Sequence, residues 1–161
     1  MLHLRIPPPV VALLSAGAMW AIATNTWRAD VPFSIRLAAG LFIMVCGETL
    51  GIAGILQFRR HRTTINPFAP HRTSALVTQG VYRVSRNPMY TGLMISLMGW
   101  GVFLASPLAF FVLPFTVWYL TSFQITPEEH VLQNQFGNEF ARYCDATPRW
   151  VTIFSGNKKD A

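Results

Sequence analysis

Charge is what this sequence has least of. Only 12% of its 161 residues are Asp, Glu, Lys or Arg, against about 25% in an average soluble domain. With 52% hydrophobic residues, the shortfall excludes an ordinary water-facing globule and makes lipid the expected solvent of much of the chain. Cysteine is nearly absent. Cys46 lies in an apolar run and Cys144 near the tail, so no disulfide framework is expected. The four histidines, His3, His61, His71 and His130, match no metal-ligand spacing, and no metal site is expected. There is no internal repeat, no low-complexity tract and no phosphate-cradling glycine-rich loop. The length suits one domain, residues 1–161.

What is present is four apolar runs. They cover roughly Val10 to Trp27, Phe33 to Phe58, Tyr90 to Leu104 and Leu108 to Phe123. A spanning helix needs about 20 mostly apolar residues. The last two runs are short and read as a helical hairpin turning at Ala105-Ser106-Pro107. Pro107 suits the first turn of a new helix, where its missing N–H is not needed. Pro114 is expected to kink the fourth helix. The first run follows Arg5 but lacks a small-residue cleavage pattern and carries Trp20 and Trp27, so it reads as a retained helix rather than a cleaved signal.

The basic residues set an orientation. Arg59, Arg60, Arg62, Arg72, Arg83 and Arg86 lie between the second and third runs, and Arg142, Arg149, Lys158 and Lys159 lie in the tail. The positive-inside rule then places that loop and both termini in the cytoplasm, in the inner membrane if the cell is bacterial. Anchoring to anionic lipid explains Arg59, Arg60 and Arg62. It does not explain Leu76 to Gly92, a polar, turn-rich segment wedged between two apolar runs.

Two further features stand out. Glu48 lies well inside the second run, where a carboxylate faces the bundle interior. It is a candidate substrate-side residue, a holder of a polar group of the cofactor, or a protonated acid bonded to a neighbouring helix. Gly47, Gly51 and Gly54 surround it at helical spacing and suit close helix packing. After the fourth run, Thr126-Pro127-Glu128-Glu129 reads as the start of a new helix with a capping box. Leu132, Phe136, Phe140 and Tyr143 continue it as the apolar stripe of an interfacial or cytoplasmic amphipathic helix. The expected fold is therefore all-α and membrane-embedded, with about four transmembrane helices and this C-terminal helix.

The chain resembles the integral-membrane methyltransferases that use S-adenosylmethionine, which include isoprenylcysteine carboxyl methyltransferase and the phospholipid N-methyltransferases. Leu76-Val77-Thr78, Gly80-Val81-Tyr82, Phe136-Gly137 with Glu139-Phe140 and Tyr143, and Pro148-Arg149-Trp150 are similar to the prenylcysteine branch. Asn87-Pro88-Met89-Tyr90, Gly92, Gly99-Trp100 and Ala105-Ser106-Pro107 are similar to the phospholipid branch, and Glu128-Glu129 matches both. The resemblance implies S-adenosyl-L-methionine as cofactor. It implies that Ser74, Ala75, Leu76, Val77, Tyr82, Asn87, Pro88, Met89 and Tyr90 line its pocket, with Glu128 and Glu129 opposite. The cofactor segments would be 59–89 and 124–154, facing the cytoplasm.

The chemistry is compatible. Tyr82 and Tyr90 offer aromatic faces to adenine or the sulfonium, although both also suit an interfacial aromatic belt. Glu128 or Glu129 suits ribose hydroxyls or the ammonium, although both also suit a helix N-terminus. Arg86 either meets the cofactor carboxylate or pairs with one of these acids. Arg86 and Glu129 are the candidate catalytic residues, Glu129 as a base for an amine acceptor, with His130 a weaker candidate. Two positions depart from the prenylcysteine pattern. Asn87 stands where that branch has His. Gln124, a candidate substrate-side residue, stands where it has an Arg for the substrate carboxylate. The expected partners are the bilayer and an amphiphilic, lipid-like or prenylated acceptor, with no nucleic acid. An NADPH-dependent membrane reductase of related architecture and a non-enzymatic four-helix adaptor are the competing readings.

Overall fold

The computed structural model describes residues 6–60 and 76–151. Ser74, Ala75 and the histidines His3, His61 and His71 lie outside the described residues. Within them the chain is helical, without a strand. The apolar runs become α1 (Pro8–Asn25), α2 (Phe33–Arg60), α3 (Pro88–Leu104) and α4 (Val112–Leu120), followed by α5 (Thr126–Phe136) and α6 (Asn138–Ala146). Three stretches are long and apolar enough to cross a membrane: Pro8–Asn25, Phe33–Arg59 and Pro107–Phe136. At 17 residues, α3 is shorter, close to the lower limit for a span.

Each helix starts and stops for a local reason. Pro8 and Pro9 open α1, where no N–H partner is required. At its end, Thr24 and Asn25 donate to the Ala21 carbonyl, Thr26 to Ile22 and Arg28 to Ala23, at 2.5 to 2.9 Å. These bonds satisfy carbonyls that a helix terminus leaves open. Pro88 opens α3. The hairpin turns where the sequence places it: Ala105 takes the left-handed conformation (φ 52°, ψ 32°), and its carbonyl accepts the Ala29 N–H at 2.7 Å. That bond ties the α1–α2 loop to the α3–α4 turn.

Two expectations about the fourth run are corrected. Pro114 does not kink a helix interior. A 3-10 turn at Pro107–Phe111 precedes α4, so Pro114 falls in the first turn of α4, where its missing N–H matters little. Nor does a capped new helix begin at Thr126. Thr126 is helical and makes no cap, and the chain runs on from α4 to α5 through a π-helical turn at Thr121–Ile125. There the Thr126 N–H bonds to the Thr121 carbonyl. The wider turn accommodates the ring and missing N–H of Pro127 without breaking the helix. The amphipathic C-terminal segment is also divided. Gly137 (φ 51°, ψ −122°) separates α5 from α6.

The bundle is organised around α3, which packs against α2, α1 and α4. Between α2 and α3 the backbones nearly touch. A Cβ on Gly47 would lie 2.5 Å from the Gly92 carbonyl oxygen, and one on Gly92 would lie 2.4 Å from that of Gly47. Gly40 and Gly99 repeat the contact farther along. Such small-residue seams let membrane helices pack by close van der Waals contact. Across the bundle, Ser15 Oγ and Thr116 Oγ1 share a hydrogen bond of 2.8 Å between α1 and α4. Among the described residues no extensive contact joins α1 to α2.

Gly51 belongs to the same sequence pattern yet differs from Gly47, because a Cβ there meets nothing within 4 Å. Gly92→Val is expected to destabilise the bundle by about 3 kcal/mol, at the upper end of overpacking costs. Gly51→Ala is expected to leave the unfolding midpoint in detergent within about 2 °C of the parent, since it meets no atom and gains helix propensity. Thermal unfolding of the two variants side by side checks this.

Candidate functional site

The space in front of Gly51 is a cavity of about 810 Å³. Its walls follow helical periodicity. On α2, Met44, Gly47, Glu48, Gly51, Ile55 and Phe58 form one stripe. At about 1.5 Å per residue, Met44 to Phe58 spans about 21 Å. On α3, Tyr90, Leu93, Leu97 and Trp100 face it. On α1, Pro9, Ala12, Leu13 and Ala16 complete the apolar part. Trp100 Nε1 donates to the Ala16 carbonyl at 3.1 Å and closes the far end.

The near end is polar. It is built from the segment before α3 and from α5 and α6: Tyr82, Arg86, Asn87, Glu128, Glu129 and Tyr143. A 3-10 turn at Gly80–Arg83 carries Tyr82 inward. Its first residue must be glycine, because φ is +61° and a Cβ would meet the Gln57 amide at 2.0 Å. Tyr82 packs edge-on against Phe58, with ring centres 5.4 Å apart. The backbone carbonyl of Tyr82 accepts the Tyr143 hydroxyl at 2.7 Å.

Glu129 is the hub of an ionic cluster. Its Oε1 accepts from Arg86 Nε and Nη2 at 3.2 and 3.0 Å, and from Arg149 Nε at 3.2 Å. Arg149 Nη2 donates to Oε2. The remaining Arg86 nitrogen, Nη1, donates to the carbonyls of Cys144 (2.9 Å) and Thr147 (2.5 Å), at the end of α6. That is where a helix terminus favours a cation. The bond to Glu129 raises the Arg149 pKa, against a smaller lowering by burial. Next to the cluster, burial raises the Cys144 thiol, with Arg86 opposing.

The turn before α3 is braced by the same tail. Ser85 Oγ donates to the Arg149 carbonyl at 3.0 Å and accepts the Asn87 N–H at 3.0 Å. Asn87 Nδ2 donates to that carbonyl at 3.1 Å, and Arg86 N to the Pro148 carbonyl at 2.9 Å. Glu128 is engaged differently, its Oε1 accepting the Tyr90 hydroxyl at 2.8 Å. The Tyr82 hydroxyl is buried and has no hydrogen-bond partner among the described residues. Burial above all, then Tyr143 and Glu128, pushes its pKa well above the ordinary tyrosine range, so it is a protonated donor. Burial raises Tyr143 as well, with Arg86 opposing.

Of the residues singled out in the sequence, Leu76, Val77, Tyr82, Asn87, Met89, Tyr90, Glu128 and Glu129 come together around this cavity, with Arg86 and Glu48. Pro88 is buried behind the wall, packed near Gly54. Gln124 is a correction. It is fully buried, but its Nε2 donates to the Ile6 carbonyl at 2.8 Å and it does not line the cavity. The unwound π-turn that carries it points it at the chain start. His130 is exposed and lines no part of the cavity. Arg86 meets Glu129 rather than open space, and four N–H donors already occupy the two Glu129 oxygens. Sequence reasoning missed the contributions of α1 and of Leu93, Ser96, Leu97 and Trp100. Apolar residues in an apolar helix carry no signal for a cavity.

Removing Arg86 leaves Glu129 paired with Arg149 alone and takes the donor from two helix-terminal carbonyls. Arg86→Met is expected to destabilise the protein by about 2–3 kcal/mol. Glu129→Gln, which keeps the shape but not the charge, is expected to cost less, and thermal unfolding in detergent gives the ranking.

The chain is 31% identical over 112 residues to protein-S-isoprenylcysteine O-methyltransferase B of Arabidopsis thaliana, covering 70% of this chain and 57% of the relative. It is 28% identical over 148 residues to the Mus musculus protein-S-isoprenylcysteine O-methyltransferase, covering 92% of this chain and 52% of the relative. For the enzyme of that name from Schizosaccharomyces pombe, the identity is 25% over 146 residues, covering 88% and 62%. The chain thus spans little more than half the length of the curated relatives it matches. No solved structure matches it. A family profile described as phospholipid methyltransferase matches residues 35–139, from α2 to the start of α6, and the chain belongs to that family.

Proposed function

We propose that this protein transfers a methyl group from S-adenosyl-L-methionine to an amphiphilic, lipid-like or prenylated acceptor at the cytoplasmic face of the membrane. The observation that carries the reading is one continuous cavity, polar at one end and apolar at the other, in a chain of this family. The prenylated acceptor class comes from the names of the relatives.

The polar end suits the cofactor. The buried Tyr82 hydroxyl is a donor that lacks a partner among the described residues, which a ligand oxygen or nitrogen would supply. The Tyr82, Tyr90 and Phe58 rings would flank adenine or the sulfonium. Glu128, oriented by the Tyr90 hydroxyl, would take ribose hydroxyls or the ammonium. When bound, the cofactor supplies an electrophilic methyl on sulfur. The protein's part is to orient, to exclude water and to bring the acceptor in line. The cluster of Arg86, Glu129 and Arg149 acts on this end as a brace, fixing α3, α5 and the tail relative to one another. Glu129 and Arg86 are therefore positioning residues in this account rather than a base and an anion clamp.

The apolar end suits the acceptor. Of the cavity-lining residues, Pro9 and Leu13 on α1 and Glu48 and Ile52 on α2 are the exposed ones. They border the gap where α1 and α2 make little contact, which would open to lipid. A hydrocarbon chain entering there would lie along the α2 and α3 stripes with its head toward Tyr90. Both termini would lie on the cytoplasmic side, as the arginine distribution favours.

Purified protein should bind labelled S-adenosylmethionine saturably and NADPH not at all. Glu128→Gln should weaken that binding by about tenfold or more, and Tyr90→Phe by somewhat less, as expected for a hydrogen bond to a charged group. Binding of NADPH alone would favour a reductase. Binding of neither, with intact protein, would favour an adaptor.

A further inference from the structure

The end of the bundle opposite the polar end of the cavity holds few charges. In the α1–α2 loop and the first turn of α2 they are Arg28, Asp30 and Arg36, and the α3–α4 turn has none. Arg28 Nε donates to the Ala23 carbonyl. Asp30 is exposed, and among the described residues it pairs with neither arginine. Arg36 is half-buried. Its guanidinium lies 5.4 Å from the centre of the Phe33 ring and 5.8 Å from that of Phe103. The two rings meet edge-on at 6.2 Å, and Trp100 stacks on Phe103 at 5.4 Å. One turn farther along α2, Gly40 packs against Gly99 and Phe103. The aromatic shelf therefore stands at the end of the glycine seam between α2 and α3.

A guanidinium held on aromatic faces keeps its charge and its fork of donors. Here Nε is buried and has no hydrogen-bond partner among the described residues. A buried N–H without an acceptor is costly, and more so on a charged group. The missing acceptor is an anionic oxygen, and a phosphate matches the guanidinium fork with two parallel bonds. Depth decides where that phosphate comes from. At about 1.5 Å per residue, Arg36 lies about 33 Å along α2 from Phe58 at the polar end. A hydrocarbon core is about 30 Å thick, which puts Arg36 at the headgroup level of the other leaflet. Trp27 and Phe33 are exposed beside it, as interfacial aromatics are.

We propose that Arg36, on the shelf of Phe33 and Phe103, binds the phosphate of a phospholipid in the leaflet opposite the polar end. Arg36 lines no part of the cavity, so this lipid is a structural partner and not a methyl acceptor. The site spans α2 and α3 through the two rings, and the bound lipid stabilises the seam between them.

The test uses the full chain, delipidated in neutral detergent, with dioleoylphosphatidylglycerol as the probe. Native mass spectrometry ranks the bound lipids, and thermal unfolding reads their effect. Dioleoylglycerol, which lacks the phosphate, and inorganic phosphate are the competitors. The parent should retain one tightly held phosphatidylglycerol that neither competitor displaces at equal concentration, and its unfolding midpoint should rise with that lipid. Arg36→Gln should weaken the lipid by about tenfold or more, as expected for a hydrogen bond between charged groups, and should shrink the rise in midpoint. Arg36→Lys keeps the charge without the fork and should fall between the two; it serves if Arg36→Gln cannot be recovered folded. Arg59→Gln removes the same charge at the other end of α2 and should stay within about twofold of the parent, because the sites are far apart. Equal weakening in Arg36→Gln and Arg59→Gln overturns the proposal, since net charge alone would then explain it. So does unchanged retention in Arg36→Gln, or a parent that holds no such lipid. Displacement by inorganic phosphate assigns the site to a soluble anion, displacement by dioleoylglycerol assigns it to acyl chains, and either result also overturns it.

Discussion

Glu129 held between Arg86 and Arg149 is the interaction on which the polar end of this molecule depends. Three pieces of chain meet there: the turn that starts α3, the first turn of α5 and the tail after α6. Beside them a small apolar cluster of Val77, Tyr82, Phe140 and Tyr143 joins the segment before α3 to α6. The ion pairs, joined by the bonds from Arg86 to the Cys144 and Thr147 carbonyls, set their geometry. With that geometry set, Tyr82 and Glu128 face one cavity. Two charges side by side in the sequence, Glu128 and Glu129, thereby take different parts: Glu129 holds the ion pairs and Glu128 accepts the Tyr90 hydroxyl at the cavity wall.

At the apolar end the constraint is steric. The seam formed by Gly47 with Gly92, and Gly40 with Gly99, brings α2 and α3 to backbone contact. Close approach along one line leaves room along the next, where Gly51 has no neighbour in front of it. The cavity is therefore a consequence of how these helices pack. Its open side exists because α1 leans on α3 and α4 instead of on α2.

Much of this was legible in the sequence. Apolar runs gave the long helices, because length and hydropathy are sufficient for a span. Ala105-Ser106-Pro107 gave the hairpin. The segment from Leu76 to Gly92 was conspicuous because polar residues between spans demand a reason. Other features were hidden for physical causes. Thr126-Pro127-Glu128-Glu129 carries every sign of a helix start, yet a π-turn absorbs the proline and the helix continues. The family resemblance implied Gln124 as a substrate-side residue, and the same turn directs it to Ile6. Gly47 and Gly51 share one spacing, and only the partner helix distinguishes a packing glycine from an open one.

Tyr82, Tyr90 and Glu128 are the residues proposed to form the S-adenosylmethionine site. Photo-crosslinking of methyl-labelled S-adenosylmethionine to the purified full chain, followed by peptide mapping, tests this most directly. Saturable label is expected on the peptides containing Tyr82 and Tyr90, lost in Glu128→Gln. Label confined to α1 or α4, or label that unlabelled cofactor does not displace, would contradict it.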